Sequence, residues 1–198
     1  MRVLMTGHDG YVGAVMVPIL TRAGHEVVGL DNQYFDGCDF GDYKPGIKVI
    51  KSDIRDLRRE HLNGFDAVVH LAAVSNDPLG NLNPESTYDI NHRASMKLAE
   101  LAKVAGVKRY LYSSSCSVYG AASPEDVLNE SASFSPVTPY AKSKVMVERD
   151  LTALGDGGHP RAERAGLDLL DDVGLVGDPD EDVTVEALQL LEAELRVE

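Results

Sequence analysis

Residues 3–20 leave few choices of fold. The apolar run Val3-Leu4-Met5 leads into Thr6-Gly7-His8-Asp9-Gly10-Tyr11-Val12-Gly13, and apolar residues then recur with helical spacing at Val12, Val15, Met16, Ile19 and Leu20. A strand, a glycine turn and a helix in that order form an anion site. The glycines let backbone approach a phosphate with no Cβ in the way, and the helix start presents unpaired N–H groups and a partial positive charge. The spacing Gly-x-x-Gly-x-x-Gly is a variant of the dinucleotide fingerprint. Any tight strand-to-helix turn can use glycine, so the rest of the chain has to support the motif.

Further along, strand-like and helix-like patterns alternate. Glu26-Val27-Val28-Gly29-Leu30 reads as a second buried strand ending at Asp31, after a helix closed by Gly24 and expected to be bent or loosened in its middle by Pro18. Residues 31–46 read as a loop, Ile47–Ile50 as a short strand, and Asp53 as the start of a polar helix reaching about Leu62. Asp66–Ala73 is a further buried strand, followed by a turn-rich loop, Val74–Gly80. Asn83 and Pro84 open a long helix as N-cap and first residue, and Gly106 lies beyond its end. Arg109–Ser113 is a strand running into Ser114–Gly120, and Thr138-Pro139 starts another helix. Alternation of this kind predicts an α/β fold, a Rossmann-type doubly wound parallel sheet, with ligands at the strand C-termini.

Five features fall on that one edge: the glycine turn, Asp31, Asp53, the 72–80 loop and the 113–120 segment. Asp31 stands where a carboxylate can accept hydrogen bonds from an adenosine ribose diol and repel a 2′-phosphate, which favours NAD over NADP; the plainer reading is a solvated turn carboxylate. Tyr140 and Lys144 are i,i+4 neighbours on one helix face. A phenol with an ordinary pKa near ~10 is a poor base at neutral pH. A lysine ammonium held close, together with a cationic nicotinamide ring, favours the phenolate. The pair can then take a proton from a carbinol O–H while hydride leaves the carbon, with Ser115 donating a hydrogen bond to the same oxygen. An amphipathic helix with a tyrosine packed on a lysine stem gives the same spacing.

Taken together, Thr6-Gly7-x-x-Gly10-x-x-Gly13, Asp31, Asp53-Ile54, His70-Leu71-Ala72-Ala73, Asn91, Ser113-Ser114-Ser115, Val118-Tyr119-Gly120 and Tyr140-x-x-x-Lys144 resemble the extended short-chain dehydrogenase/reductase superfamily. More narrowly they resemble its NAD-dependent epimerase/dehydratase family, whose members act on nucleotide sugars. The resemblance runs from residue 1 to about 154. It implies a Ser115–Tyr140–Lys144 catalytic group, with Lys144 also on the nicotinamide ribose. Gly7, Gly10 and Gly13 would line the pyrophosphate, with Tyr11 at the same turn. Asp31 would hold the adenosine ribose, and Asp53 and Ile54 the adenine. Leu71, Ala72 and Ala73 would border the cofactor, and Asn91 would support it by hydrogen bonding. A nucleotide-sugar substrate, and a homodimer through a helix pair as in many relatives, are further implications. One departure narrows the chemistry. Sugar-nucleotide 4,6-dehydratases of this family carry an Asp-Glu pair after the catalytic Ser/Thr, where this chain has Cys116-Ser117. Epimerase or simple oxidoreductase chemistry is therefore expected, and Cys116 is expected to be a small, semi-buried core residue rather than a reactive thiol.

Charge divides the chain in two. Residues 151–198 hold 13 acidic and 3 basic side chains, against 19 and 16 in residues 1–150. No basic stripe suits nucleic acid, and no apolar run approaches membrane-spanning length. Two cysteines far apart, Cys38 and Cys116, suggest a reducing compartment, and a cytoplasmic location is expected. The six histidines have no metal-ligand spacing. His70 reads as structural, and His8 as either a phosphate contact or a solvent-facing turn residue. Two regions result: an NAD-binding, catalytic domain over 1–154 and a short, divergent acidic extension over 155–198. In the extension, 155–160 is a linker, Leu167–Leu175 a short apolar stretch, and Thr184 a candidate helix cap. The extension lacks the family's Leu-Arg and Tyr-Gly motifs. It could cover a sheet edge, form an unrelated subdomain, stay partly disordered, or replace a truncated substrate lobe. The alternative to an active enzyme is a catalytically silent or truncated NAD-binding module.

Overall fold

The computed structural model describes residues 1–38, 46–75, 77–120, 128, 132–156 and, as backbone, 162–165. Six strands form one fully parallel sheet: β1 (Arg2–Thr6), β2 (Glu26–Asp31), β3 (Lys48–Lys51), β4 (Ala67–His70), β5 (Arg109–Ser113) and β6 (Ala162–Ala165). Their order is β3-β2-β1-β4-β5-β6. The order reverses between β1 and β4, and a doubly wound sheet opens a ligand crevice at that switch. The register sets Leu4 between Val28 and Val68 and brings Thr6 beside Leu30 and His70.

Strand side chains alternate between the two faces, so an apolar run such as Val3-Leu4-Met5 supplies both. Val3 and Met5, with Val27, Ala67, Val69 and Leu111, pack on Met16, Val17 and Leu20 of α1 (Tyr11–Arg22). Leu4, Val28, Val68 and Tyr110 face the other way. They pack on Leu98, Ala99 and Ala102 of α4 (Ser95–Ala105) and on Val147 and Leu151 of α5 (Pro139–Asp156). Helix α1 runs through Pro18 without a break, and Gly24, at φ +88°, follows its C-cap residue, Ala23.

Several elements differ from their sequence reading. The stretch after Asp53 holds two 3-10 turns, Ile54–Asp56 and Arg59–Leu62, because Leu57 between them is extended and buried. Half of the 74–80 loop is helical: α2 (Asp77–Leu82) begins with an acidic residue and a proline, both suited to a first turn. The long helix starts at Asn83, whose side chain accepts from Ser86 N at 3.1 Å, and closes at Gly106 with φ +80°. Within it, α3 (Pro84–Tyr88) joins α4 through a π-helical segment, Asp89–Ala94. Strand β6 lies in the acidic extension, where Ala-Glu-Arg-Ala has no alternating apolar pattern; its backbone pairs with β5 from Tyr110↔Ala162 to Ser113↔Ala165. The expected linker at 155–160 begins instead as the last two residues of α5, Gly155 and Asp156; its remainder, the Leu167–Leu175 stretch and the Thr184 helix lie outside the described residues.

Candidate active site

A cleft of about 900 Å³ lies at the C-terminal ends of the strands. One end is the glycine turn. Gly7 N donates to Leu30 O at 2.8 Å and Gly10 N to Gly7 O at 3.1 Å. Gly7 has φ +73°, and a Cβ there would sit 2.7 Å from Ala72 N; at Gly13 a Cβ would sit 2.4 Å from Gly7 O. The turn thus closes onto itself and onto Ala72, as close helix–strand packing requires. No side chain caps α1, and its first residues, Tyr11, Val12 and Gly13, line the cleft. Tyr11 lines the cleft at 82% exposure.

Next along the wall, Asp31 ends β2. Its carboxylate accepts from Gln33 N at 2.8 Å and from Asp9 N at 3.4 Å, which ties the second strand's end to the turn. Gln33, at φ 57°, Tyr34 and Phe35 continue the wall, although their sequence pattern reads as plain loop. Asp53 and Ile54 also line the cleft. Both carboxylate oxygens of Asp53 are taken by the Arg55 guanidinium, at 2.9 and 2.8 Å, which holds this acid below the usual carboxylate range. Leu71, Ala72 and Ala73 form the floor beyond β4. Among the described lining residues, Lys144 is the one lysine or arginine.

Asn91 does not line the cleft. It is buried in the π-helical segment, where Oδ1 accepts from Val74 N (2.7 Å) while Nδ2 donates to Val74 O (3.0 Å) and to Ser143 Oγ (3.2 Å). Ser143 Oγ donates in turn to Tyr140 O at 2.6 Å. Asn91 therefore braces the cleft wall and the start of α5 together. Extra backbone room in a π segment is a frequent device at functional sites.

The far end brings the three expected catalytic residues together. Tyr140 and Lys144 line the cleft from α5, whose first turn Thr138 caps by accepting from Ala141 N at 3.1 Å. Ser115 is not itself part of the lining; its side chain accepts from Ser117 N at 3.2 Å and lies near enough to the Tyr140 phenol to favour the phenolate. Burial pushes the Tyr140 phenol up, the Ser115 hydroxyl opposes this, and the Asp77 and Cys116 charges add to the rise. Lys144 does not reverse this rise. Its Nζ donates to Ser113 O at 2.7 Å and lies 4.8 Å from the Tyr112 ring centroid and 5.7 Å from that of Tyr140. Burial brings the Lys144 ammonium down to about 8, and the Glu148 carboxylate pushes back.

Two residues sit elsewhere than expected. His8 is 1% exposed, because its ring fills the space over Gly29 instead of facing solvent. Cys116 is exposed, because the 3-10 turn Cys116–Tyr119 buries Val118 and Tyr119 and turns the thiol outward. Sequence reasoning also missed a buried polar chain under the floor. Ser95 Oγ donates to Asn91 O (2.7 Å), so it accepts from His70 Nε2 (2.7 Å), which leaves His70 Nδ1 to accept from Thr6 Oγ1 (2.6 Å). The neighbouring Ala72 N donates to Thr6 Oγ1 at 3.4 Å. His70 is structural, as expected.

Residues 3–160 match the family model described as "NAD dependent epimerase/dehydratase family". A UDP-glucose 4-epimerase from Streptomyces lividans is 36% identical over 199 residues, covering 94% of this chain and 59% of that protein. A UDP-N-acetylglucosamine 4-epimerase from Methanobrevibacter ruminantium, solved in complex with UDP-N-acetylmuramic acid, superimposes with TM-score 0.70 and 31% identity over 78% of this chain and 50% of that one. The UDP-glucose 4-epimerase of Thermus thermophilus, solved with NAD, gives TM-score 0.69 and 27% identity over 79% and 51%. The chain therefore spans between half and three-fifths of the length of these three proteins.

Proposed function

The chain belongs to the NAD-dependent epimerase/dehydratase family, and on that premise we propose that it oxidises and re-reduces a carbinol of a nucleotide sugar, inverting that carbon, with Tyr140 as the general base. The observation that carries this reading is the convergence of Ser115, Tyr140 and Lys144 at one end of a cleft whose other end is the glycine turn and Asp31. The cleft suits NAD on its own features: a turn that excludes Cβ atoms at Gly7 and Gly13, a carboxylate at Asp31 for a ribose diol, and no lining cation beside it for a 2′-phosphate among the described residues. Gly7, Gly10, Tyr11 and Gly13 would hold the pyrophosphate, Asp31 the adenosine ribose, Asp53 and Ile54 the adenine side. Leu71, Ala72 and Ala73 would border the cofactor, with Asn91 bracing the neighbouring Val74.

When bound, NAD supplies a hydride acceptor that later returns the hydride. Tyr140 takes the carbinol proton and gives it back to the carbonyl oxygen when the sugar is reduced on its other face. Ser115 donates a hydrogen bond to that oxygen throughout. Lys144 contributes a positive charge that stabilises the phenolate against the burial that opposes it. Cys116-Ser117 following Ser115 supplies no carboxyl acid or base, which favours epimerisation over 4,6-elimination. The same reading takes residues 1–154 as the cofactor-binding and catalytic unit and 155–198 as an acidic extension that adds β6 to its sheet, in a cytoplasmic, homodimeric enzyme.

Calorimetry with NAD, followed by turnover assays on a panel of UDP-sugars, tests the proposal. NAD binding and NAD-dependent interconversion of a UDP-sugar pair are expected, with turnover falling by at least about a hundredfold in Tyr140→Phe. Wild-type turnover in that variant overturns the role of Tyr140. NAD binding with no turnover on any sugar makes the chain a binding module instead.

A further inference from the structure

One face of α5 carries three groups a turn apart: Tyr140, Lys144 and Glu148. The first two belong to the site above. The third is a carboxylate only 5% exposed, flanked by the buried apolar side chains Val147 and Leu151. A carboxylate so placed is costly unless something compensates its charge. The compensation comes from the end of β5. Ser114 Oγ donates to Glu148 Oε1, while the preceding residue, Ser113, offers its carbonyl to Lys144 Nζ at 2.7 Å. Consecutive residues of one strand end therefore hold the two opposite charges in place, and Lys144 is itself only 3% exposed.

We propose that Glu148 is a positioning residue that keeps Lys144 cationic inside the site. This rests on the reading of Lys144 as the electrostatic partner of Tyr140. A buried amine with no counter-charge loses its proton, and a neutral amine does nothing for a phenolate. Among the described residues, the other titratable groups around the pair do not supply the missing negative charge. Tyr110 and Tyr112 on β5 are phenols that burial keeps neutral, and Tyr140 is neutral until it acts. His70 on β4 is held neutral by burial and by the Lys144 charge itself. On the elements packed against α5, Asp77 of α2 accepts from Thr138 Oγ1 at 2.5 Å and His92 of the π segment pairs with Asp150 at 2.7 Å. Lys103 of α4 donates to Leu154 O at 3.3 Å. Among the described residues, Glu148 is the acid whose charge opposes the loss of the Lys144 proton.

The test is an NMR titration of the full chain carrying lysine labelled with carbon-13 at Cε, with the Lys144 signal identified by its loss in Lys144→Met. In Glu148→Gln the side chain still accepts from Ser114 but carries no charge. The Lys144 midpoint is expected to fall by about one pH unit or more, and Glu148→Asp to recover part of it. If turnover is present, the alkaline limb of its pH profile moves down with the midpoint. An unchanged midpoint in Glu148→Gln overturns the proposal. Should Glu148→Gln not fold, Lys144→Met/Glu148→Gln is expected to fold, because it removes both charges; failure of the double variant to fold overturns the proposal equally. The titration needs no substrate. A shifted midpoint in a chain without turnover supports the role of Glu148 while removing the one given to Lys144 in catalysis, and an unchanged midpoint with intact turnover does the reverse.

Discussion

The His8 imidazole occupies the space that Gly29 leaves by having no side chain: a Cβ on Gly29 would stand 2.4 Å from both Cγ and Cδ2 of His8. The two residues are 21 positions apart, one in the glycine turn and one in the middle of β2. The ring props the turn from beneath, against the strand that ends in Asp31. In this way the glycine-turn end and the Asp31 end of the cleft are fixed relative to each other through packing.

Gly29→Ala is therefore expected to destabilise the fold by about 1–3 kcal/mol, the usual cost of forcing an extra carbon into a packed core. NAD affinity should weaken as the turn is displaced. His8→Ala in the same chain should relieve most of the penalty, because the two sites share one space and cannot be additive. Urea denaturation of the two single variants and the double variant measures this; strict additivity would show that the ring and the missing side chain are unrelated.

Acid should weaken the protein through His70. Its folded-state pKa is lowered, to about 3, first by burial and then by the Lys144 charge, against an ordinary value near 6.5. The unfolded chain therefore binds the proton that the folded chain refuses. The stability contribution is complete above about pH 6.5 and is lost as pH falls towards 3, at about 1.4 kcal/mol per pH unit. Protonation at Nδ1 would also abolish the acceptor that Thr6 Oγ1 uses. Urea midpoints collected from pH 7 to 4 should fall along that slope in the wild type and less steeply in His70→Gln. Equal slopes would remove His70 from the account.

Much of this was legible in the chain because the signals were local. The glycine turn, the apolar strands, the Asn83 and Thr138 caps and the Tyr140/Lys144 spacing each depend on residues within a few positions. What stayed hidden depends on partners far away in sequence. Nothing near His8 announces Gly29, and nothing near Asn91 announces Val74 or Ser143. The π segment has no period of its own, and β6 forms without an alternating apolar pattern because β5 presents an unpaired edge. Glu148 did leave a trace: an acid one turn beyond Lys144, between Val147 and Leu151, on the apolar side of a helix.

Cofactor choice should turn on Asp31. Its carboxylate already accepts two backbone N–H groups, so it is held rigidly at the β2 end. A rigid negative charge repels a 2′-phosphate and accepts from a diol. Asp31→Ala is expected to weaken NAD binding by about tenfold or more while leaving NADP binding unchanged or improved, consistent with the loss of a charged hydrogen-bond acceptor. Parallel calorimetric titrations with both dinucleotides decide it; a variant that keeps the wild-type preference would place the discrimination elsewhere.

Asn91→Ala tests how the two halves of the site are joined. The wild-type amide uses both of its ends on Val74, and its nitrogen also reaches Ser143, which donates to the Tyr140 carbonyl. Deleting it leaves the buried Ser143 hydroxyl without its donor, and both backbone groups of Val74 without the partner that orders this wall. The expected loss is about 2–4 kcal/mol of stability, larger than for a surface substitution because several buried polar groups are stranded at once. Ser143→Ala, which breaks only the link to α5, should cost less in stability and nothing in NAD affinity. Asn91→Ala should weaken NAD binding as well, since Val74 borders the cleft. Denaturation and calorimetry on the two variants separate the outcomes: equal effects on NAD affinity would mean that Asn91 serves only to hold α5.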